Sequence, residues 1–220
     1  MRCEVAIREA LINNTIDLIA QGGFEMATTA AITRKAPPSA EVKMNEVYIY
    51  RLYGGKEQLY EAAFLTLESE LYHALQACVT EELAKSRDTV DAWYRIFERA
   101  WGFLLRNEEH CRCYVRYYYS VYFKGNSLAT HNKHFEHIVS CFAPLFQEDA
   151  NLSAIMHSVF TALLDFSIRV YNGDLENNED NRPHIFNMLY SMLKIYLKDE
   201  AARTASIIKN ETSMKGSPSV

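Results

Sequence analysis

The chain has 220 residues, of which 49% are hydrophobic and 23% charged, and its net charge is −5. This composition supports a sizeable core and excludes a disordered or collagen-like chain. Eight glycines and five prolines are too few for an all-β sandwich or barrel, and the acidic balance excludes a basic protein that coats nucleic acid without sequence preference. The opposite charges of residues 1–60 cancel, so the net charge lies after residue 60, and the two segments are expected to differ in function.

The chain carries no pattern of secretion or of a membrane span. Its first segment, MRCEVAIREAL, has charges throughout and lacks the apolar stretch of a signal peptide. The apolar run 159–164 stops at Asp165, short of the ~20 residues that a span needs. Five cysteines, an odd number, favour reduced thiols over a disulfide framework. We therefore expect a soluble cytoplasmic protein without a membrane partner.

Three short helices are predicted in the first 55 residues. The first covers residues 5–21, where apolar side chains recur near the 3.6-residue period and a Gly pair follows. The second begins at Thr28 or Thr29, either of which can cap it, and stops at Pro37. The third has the sequence EVYIYRLY; Asn45 caps it and a second Gly pair ends it.

Longer helices are predicted in the rest of the chain. One runs from Lys56 to about residue 86 and carries a leucine stripe, and Asp88 caps the next. Further helices are predicted over residues 107–122, over 128–147, where Pro144 kinks or ends the helix, and over 151–171 and 183–208. Residues 209–220 are expected to be a disordered tail. Since no internal repeat or useful β alternation occurs, the fold class is all-α.

A spaced motif links the third helix to the fourth. The order Tyr-x-x-aromatic-x-x-Lys-Glu-x-Leu is matched by Tyr50, Tyr53, Lys56, Glu57 and Leu59. With the Thr-Thr pair and the apolar positions of the second helix, about a quarter of the chain resembles the tetracycline-repressor (TetR) family of bacterial transcription regulators.

The resemblance implies a domain organisation. Residues 1–57 form a three-helix helix-turn-helix domain that binds DNA. Residues 58–208 form a C-terminal helical domain for ligand binding and dimerisation. Both domains are helical, in agreement with the all-α prediction from the pattern.

The resemblance also implies which side chains contact DNA. A helix in the major groove presents its first residues to base edges, while hydroxyls and cations beside it bind phosphates. Glu46 is expected to accept from cytosine N4 and Val47 to contact a thymine methyl, whereas Ile49 and Tyr53 point into the core. The complete expected DNA-binding set is Thr28, Thr29, Lys43, Asn45, Glu46, Val47, Tyr48, Tyr50, Arg51 and Lys56.

The turn before the third helix departs from the family pattern. The family has a Gly and one apolar residue there, whereas this chain has the eight residues PPSAEVKM at 37–44. The longer turn costs well under ~1 kcal/mol in loop entropy, but it can displace the DNA-reading helix. The alternative is therefore a helical small-molecule-binding or partner-docking protein that has lost DNA binding through this turn. A further alternative, which we favour less than DNA binding, is an ordinary three-helix bundle without DNA activity.

Aromatic residues are dense in the middle of the chain, in a stripe of Trp93, Phe97 and Trp101 and in the segment YVRYYYSVYF at 114–123. Core packing accounts for most of them. The resemblance implies a cavity for an apolar or aromatic effector between helices. The candidate lining residues are Trp101, Tyr117, Tyr118 and Tyr122.

The last two predicted helices each have an apolar stripe, which is either internal core or, as the resemblance implies, a four-helix interface of a homodimer. We favour the dimer on this resemblance, and its two-fold axis would match a near-palindromic operator. The stripes are Ile155, Val159, Ala162, Leu163, Phe166 and Val170 on the first helix, and Ile185, Met188, Leu189, Met192, Ile195 and Tyr196 on the second.

Motifs of catalysis and metal binding are not evident. His131, His134 and His137 lie three residues apart and are expected on a polar helix face, and the segment HCRC at 110–113 has no second Cys pair. No P-loop, Gly-x-Ser-x-Gly or dinucleotide motif occurs. We expect no catalytic residue, metal or cofactor, and an all-α metalloenzyme is the third hypothesis. The favoured function is a ligand-responsive regulator that binds double-stranded DNA, a repressor rather than an activator.

Overall fold

The computed structural model describes residues 2–34, 44–86 and 88–199, and this part of the chain is helical with one isolated β-bridge, between Phe146 and Leu197. The prediction of an all-α fold is confirmed. The helices are α1 Arg2–Gly22, α2 Thr29–Arg34, α3 Glu46–Tyr53, α4 Lys56–Lys85, α5 Thr89–Arg106, α6 Glu108–Tyr118, α7 Gly125–Phe142, α8 Leu152–Asn172 and α9 Asn181–Leu193, with 3₁₀ turns at Ala143–Leu145 and Lys194–Tyr196.

Three helix ends differ from the sequence prediction. α6 ends at Tyr118 rather than near residue 122, because the Ser120 hydroxyl donates to the Tyr117 carbonyl and accepts from the Tyr122 amide to form a turn. α7 begins at Gly125, three residues before the predicted start, and ends before Pro144. The prediction for the end of α9 was wrong by more than a turn.

The end of α9 is set by hydrogen bonds to a distant segment. The helix ends at Leu193, although the pattern predicts that it continues to about residue 208. The amide of Lys198 donates to the Leu145 carbonyl at 2.8 Å, and the amide of Gln147 donates to the Tyr196 carbonyl at 2.9 Å. These long-range bonds replace helical ones, and no local pattern predicts them. Residues 200–220, which include the predicted tail, lie outside the described residues.

One compact unit contains described residues within Met1–Gln76 and Phe103–His137. In it α1 packs against α2 and α6, and α2 packs against α3. Leu11, Ile19, Ile32 and Ile49 are fully buried between the first three helices. Gly54 ends α3 with φ +89°, a left-handed conformation that glycine adopts without a Cβ clash, and the chain then enters α4.

The other compact unit contains described residues within Ala77–Gly102 and Ile138–Val220. Its core is aromatic: Trp93 stacks on Phe142 with ring centroids 4.5 Å apart, and Phe97 lies 5.6 Å from Phe186. α8 packs against α9. The domain boundary predicted after residue 57 is a functional division and stays a prediction.

Helix α8 is the one helix among the described residues that is long and apolar enough to cross a membrane, by length and composition only. In its most apolar window, 28% is buried within the chain. Asp165 and Arg169 form an ion pair on this helix at 2.8 Å. The apolar character therefore extends further than the run 159–164 suggests. Length and composition do not distinguish a span from an apolar helix that packs against protein.

Candidate nucleic-acid interface

Helix α2 is capped by Thr28, the first of the two threonines that the sequence offers. The Thr28 hydroxyl accepts from the Ala31 amide at 3.1 Å. The side-chain amide of Asn14 donates to the Ile32 carbonyl at 2.8 Å, and the Tyr60 hydroxyl donates to the Ala27 carbonyl at 2.6 Å. Side chains of α1 and α4 thereby fix both ends of the segment that carries α2.

Helix α3 begins and ends as the sequence predicts. Asn45 is its N-cap, since the side-chain oxygen accepts from the Val47 amide at 3.1 Å. Glu46 follows in the first turn, where a negative charge interacts favourably with the helix dipole and stabilises the helix. Ile49 is fully buried, as expected, whereas Tyr53 is only half-buried. The helix thus has one anchored face and one face turned to solvent.

The solvent face of α3 carries most of the residues expected to contact DNA. Val47 is 67% exposed and Tyr50 59%, and Arg51 is also exposed. Tyr48 is half-buried, and the Arg51 guanidinium lies 4.7 Å from the centre of its ring. This cation–π contact holds the positive charge against the helix instead of leaving it on a free side chain.

Thr29 and Glu46 are brought together by the fold. The Thr29 hydroxyl, half-buried on α2, donates to Glu46 Oε2 on α3. The sequence predicts a phosphate contact for Thr29, but its hydroxyl proton is already engaged within the protein. Residues 35–43, which include Lys43 and most of the longer turn, lie outside the described residues.

Arg8 on α1 is a residue that the sequence analysis missed. Its Nη1 donates to the Leu52 carbonyl at 3.2 Å, while the Tyr53 hydroxyl donates to the Arg8 carbonyl at 3.0 Å. Burial raises the pKa of Tyr53, and the nearby Arg8 charge opposes that rise. The two reciprocal bonds, called here the Arg8–Tyr53 clamp, tie the end of α3 to α1. No local pattern reveals this pair, which is 45 residues apart.

Lys56 opens α4 next to the end of α3, and it is half-buried. Its Nζ lies 5.7 Å from the centre of the Tyr60 ring. Burial, with smaller contributions from Tyr122, Glu25 and Glu57, raises the pKa of Tyr60 to about 12, so that phenol stays neutral. Lys56 therefore brings a cation to a helix N-terminus, where backbone amides also attract anions.

The candidate effector residue Trp101 lies in the unit that contains α8 and α9. It is buried, its Nε1 donates to Asn177 Oδ1 at 3.1 Å, and its ring lies 5.9 Å from that of Phe97. These contacts are packing and hydrogen bonding within the protein. A role of Trp101 in binding an effector stays a prediction.

The other three candidate effector residues, Tyr117, Tyr118 and Tyr122, lie in the unit that contains α3. Tyr117 is buried, with its ring stacked 4.5 Å from Phe64 and its hydroxyl donating to the Tyr122 carbonyl at 3.1 Å. Tyr118 and Tyr122 are half-buried, and the Tyr122 ring lies 4.8 Å from that of Phe24. Their role toward an effector also stays a prediction.

A buried polar cluster joins α4, α6 and α7. The Tyr114 hydroxyl donates to Glu68 Oε2 at 2.9 Å, and the Nδ1 atoms of His131 and His134 each lie 3.1 Å from a Glu68 oxygen. Burial opposes the ionisation of Glu68, but the hydrogen bonds from His131, Tyr114 and His134 outweigh it and lower the pKa of this carboxyl. Because an ionised carboxylate only accepts, both imidazoles donate through Nδ1.

The cluster corrects the expectation of a polar helix face for His131, which is 5% exposed, whereas His134 is half-buried and His137 is exposed. Glu68 was also missed, although a Glu between Leu67 and Leu71 on an apolar helix face is a signal of a buried charge with partners. Across the described ranges, no group of three or more His, Cys, Asp and Glu side chains could hold a metal ion.

The apolar stripes of α8 and α9 divide between core and solvent. Leu163, Ile185 and Leu189 are buried, and the other members of the α8 stripe are half-buried. We call the exposed part of the second stripe the α9 apolar face. It consists of Met188 and Ile195, each 58% exposed, Met192, 37% exposed, and Tyr196, 36% exposed.

Comparisons with known proteins identify the fold through structure. No protein-family model and no curated protein matches the sequence. A TetR family transcription regulator from Marinobacter aquaeolei VT8 superposes with a TM-score of 0.69 and 17% identity, covering 87% of this chain and 98% of its own. A TetR-like transcriptional regulator from Rhodococcus sp. RHA1 superposes with a TM-score of 0.60 and 18% identity, covering 85% of this chain and 93% of its own. The chain therefore has the fold of TetR-family regulators.

Proposed function

We propose that this chain is a transcription regulator that binds a near-palindromic DNA operator as a homodimer. The observation that carries the proposal is α3, whose first residues and Arg51 face solvent while Ile49 and the Arg8–Tyr53 clamp anchor the other face. A helix that enters the major groove needs exposed leading side chains on a rigid base. The likeness to TetR-family folds supports the same function.

The residues proposed to contact DNA, on α3 and beside it, take two roles. Glu46 accepts a hydrogen bond from cytosine N4, Val47 contacts a thymine methyl, and Tyr48 completes the base-facing set. Phosphates are bound beside these positions, where positive charges and hydroxyls lie at the ends of the helices. The proposed phosphate-binding residues are Thr28, Lys43, Asn45, Tyr50, Arg51 and Lys56.

The dimer is proposed to form through α8 and α9. The α9 apolar face exposes Met188 and Ile195 to water, and the apolar stripe of α8, apart from Leu163, is only half-buried within one chain. Exposed apolar surface of this kind marks an interface. A two-fold pair of chains buries it and presents two copies of α3 to adjacent turns of DNA.

The response to an effector is proposed to pass through α6. The Arg116 Nη1 donates to the Ile19 carbonyl at 2.6 Å, which joins α6 to the end of α1. At its other end α1 holds α3 through the Arg8–Tyr53 clamp. An apolar or aromatic effector that shifts α6, beside Tyr117 and Tyr118, thus changes the setting of α3. A coupling of ~1–3 kcal/mol changes operator affinity 5- to 150-fold. We propose that the bound protein represses transcription in the cytoplasm and that the effector relieves this repression by releasing it from DNA.

Selection of bound duplexes from a random DNA library by the full-length protein tests the function. The expected result is an enriched near-palindromic sequence, bound by a dimer in fluorescence anisotropy. A folded dimer that enriches no sequence contradicts the proposal. If that protein still binds small apolar compounds, the alternative of a helical binding protein without DNA activity replaces it.

The role of Trp101 is tested separately. The sequence has two tryptophans, so Trp93→Phe leaves Trp101 as the only indole. A panel of planar aromatic compounds is screened for release of the selected operator, and each active compound is titrated against Trp93→Phe. Quenching of Trp101 fluorescence over the same concentration range supports its place in the effector site. Operator release without a change in fluorescence contradicts it.

A further inference from the structure

We infer that Thr29 is a positioning residue that orients the Glu46 carboxylate toward one base pair and so sets the sequence preference there. The inference rests on the DNA-binding function proposed above and goes beyond it. It replaces the phosphate contact expected for Thr29 with a role in specificity.

The two adjacent threonines have different hydrogen-bond partners. The Thr28 hydroxyl accepts from the Ala31 amide and serves its own helix. The Thr29 hydroxyl donates across to Glu46 Oε2, on the first residue of α3. A threonine hydroxyl has one proton to donate, so a proton given to Glu46 is not available for a phosphate oxygen.

A carboxylate at the protein–DNA interface needs such a support. Phosphates repel it, and an unsupported Glu side chain populates many rotamers that point away from DNA. The bond from Thr29 occupies one of the roughly four lone-pair sites of the carboxylate, which leaves capacity to accept from a base. Glu46 is therefore ordered before DNA arrives.

The chemistry of the ordered carboxylate selects cytosine. In the major groove cytosine presents the N4 amino donor, whereas thymine presents the O4 acceptor and guanine the O6 and N7 acceptors, which repel a carboxylate. Adenine presents a donor beside the N7 acceptor. The position that faces Glu46 is expected to be cytosine in each half-site.

The longer turn makes this bond more important than it is in a short helix-turn-helix. Eight residues, 37–44, lie between Ala36 and Asn45, so the length of the connection does not by itself fix where α3 begins relative to α2. The Thr29–Glu46 bond joins the first residue of α2 to the first residue of α3. It therefore fixes where the Glu46 carboxylate lies relative to α2, while Ile49 and the Arg8–Tyr53 clamp anchor the rest of α3.

The test compares base preferences of the full-length protein and its variants by selection from a random duplex library, followed by affinities for single-base operator variants. For Thr29→Val we expect the preference for cytosine to fall about tenfold at one position of each half-site, because a good base contact discriminates by 5- to 150-fold. The preferences at other positions and the salt dependence should not change. Thr29→Ser keeps the hydroxyl and should retain the wild-type preference.

Two further variants locate the effect. Glu46→Gln should change the preferred base at the same position from cytosine to adenine, whose N6 and N7 pair with an amide. Thr33→Val is the matched control, since within the part of the chain that the structure describes the Thr33 hydroxyl donates to α2 carbonyls, at 2.9 Å for Thr29 and 3.4 Å for Ala30. It should leave every base preference unchanged. If Thr29→Val does not fold, Thr29→Ala takes its place.

The outcomes separate this inference from the proposed function. If the wild-type protein selects no sequence, the DNA-reading function fails, and the inference fails with it. If the wild type selects an operator but Thr29→Val weakens all sequences equally and lowers the salt slope, Thr29 is a phosphate contact and only the inference is overturned. It is also overturned if Thr29→Val and Glu46→Gln change different positions.

Discussion

The two compact units expose surfaces of opposite chemistry. In the unit that contains α3, the exposed residues of that helix are a carboxylate, a guanidinium, a phenol and one valine, and the helix is held to α1 by the two hydrogen bonds of the Arg8–Tyr53 clamp. In the unit that contains α8 and α9, the exposed residues of the α9 apolar face are methionines, an isoleucine and a tyrosine.

This difference indicates what kind of partner each surface takes. A polar face with ordered charges binds a polar, charged partner such as DNA, and its affinity depends on salt. An apolar face is stabilised by exclusion of water, which a second copy of the same face provides. Five predictions test this contrast and the contacts that support each surface.

The largest effect is expected when the α9 apolar face is made charged. The double variant Met188→Glu, Met192→Glu should convert the dimer to a monomer, because two buried carboxylates per chain oppose association. Loss of the second half-site should lower operator affinity about 100-fold. Light scattering and fluorescence anisotropy measure the two effects.

Val121→Glu is the control for the dimer variant, since Val121 is 80% exposed in the unit that contains α3. It should leave the dimer intact. A dimer that survives the Met188 and Met192 substitutions would show that the two chains do not associate through the α9 apolar face.

The next effect concerns the buried cluster that supports the polar unit. Glu68→Gln should lower the free energy of unfolding by about 2–3 kcal/mol at pH 7. The hydrogen bonds to the charged carboxylate are lost, and the hydrogens of the Gln amide face the donor groups of Tyr114, His131 and His134. Denaturant unfolding measures this loss. Glu109→Gln, exposed on α6, should have little effect.

The same cluster predicts a dependence on pH. The pKa of Glu68 is lowered in the folded state, so its contribution is complete above the unfolded pKa of about 4.5 and is lost as the pH falls through the folded value. The difference between wild type and Glu68→Gln should therefore shrink in acid. A difference that stays constant from pH 7 to pH 3 would contradict the ionised carboxylate.

A smaller effect should identify the phosphate contacts of the polar face. Arg51→Ala or Lys56→Ala should weaken binding to all sequences alike, by about tenfold at low salt, and reduce the salt slope by about one. Anisotropy titrations at several salt concentrations measure the slope. Arg106→Ala removes an exposed charge from α5 and serves as the control. An unchanged slope for Arg51→Ala would show that the Arg51 guanidinium contacts the Tyr48 ring and no phosphate.

The smallest effect is expected at the Arg8–Tyr53 clamp. Tyr53→Phe removes one hydrogen bond, that to the Arg8 carbonyl, and should cost about 1 kcal/mol of stability. Operator affinity should fall a few-fold while base preferences stay the same. Thermal unfolding and anisotropy are the measurements, and a variant equal to wild type in both would show that the clamp does not hold α3.

The sequence predicted the parts of this molecule that local signals determine. Asn45 and Asp88 cap helices as expected, because the N-cap hydrogen bonds involve residues two or three positions away. The end of α9, by contrast, depends on backbone bonds to residues near Leu145, about fifty positions earlier. Neither helix propensity nor periodicity contains that information.

The candidate site divides in the same way. The exposed face of α3 follows from helical periodicity once Ile49 is taken as core. The partners that hold it were missed, because Arg8 acts on Leu52 from 44 residues away and Thr29 on Glu46 from 17. An isolated arginine or threonine has no sequence pattern that names its tertiary partner.

The Arg8–Tyr53 clamp has a consequence for how operator preference can evolve. Both of its hydrogen bonds are accepted by main-chain carbonyl oxygens, those of Leu52 and Arg8, which every amino acid provides. Replacement of Val47 or Tyr50 therefore leaves the attachment of the helix untouched. If α3 reads DNA as proposed, single exchanges on its outer face change the preferred operator, and duplicated copies of the gene diverge in their targets before any change in the scaffold is required.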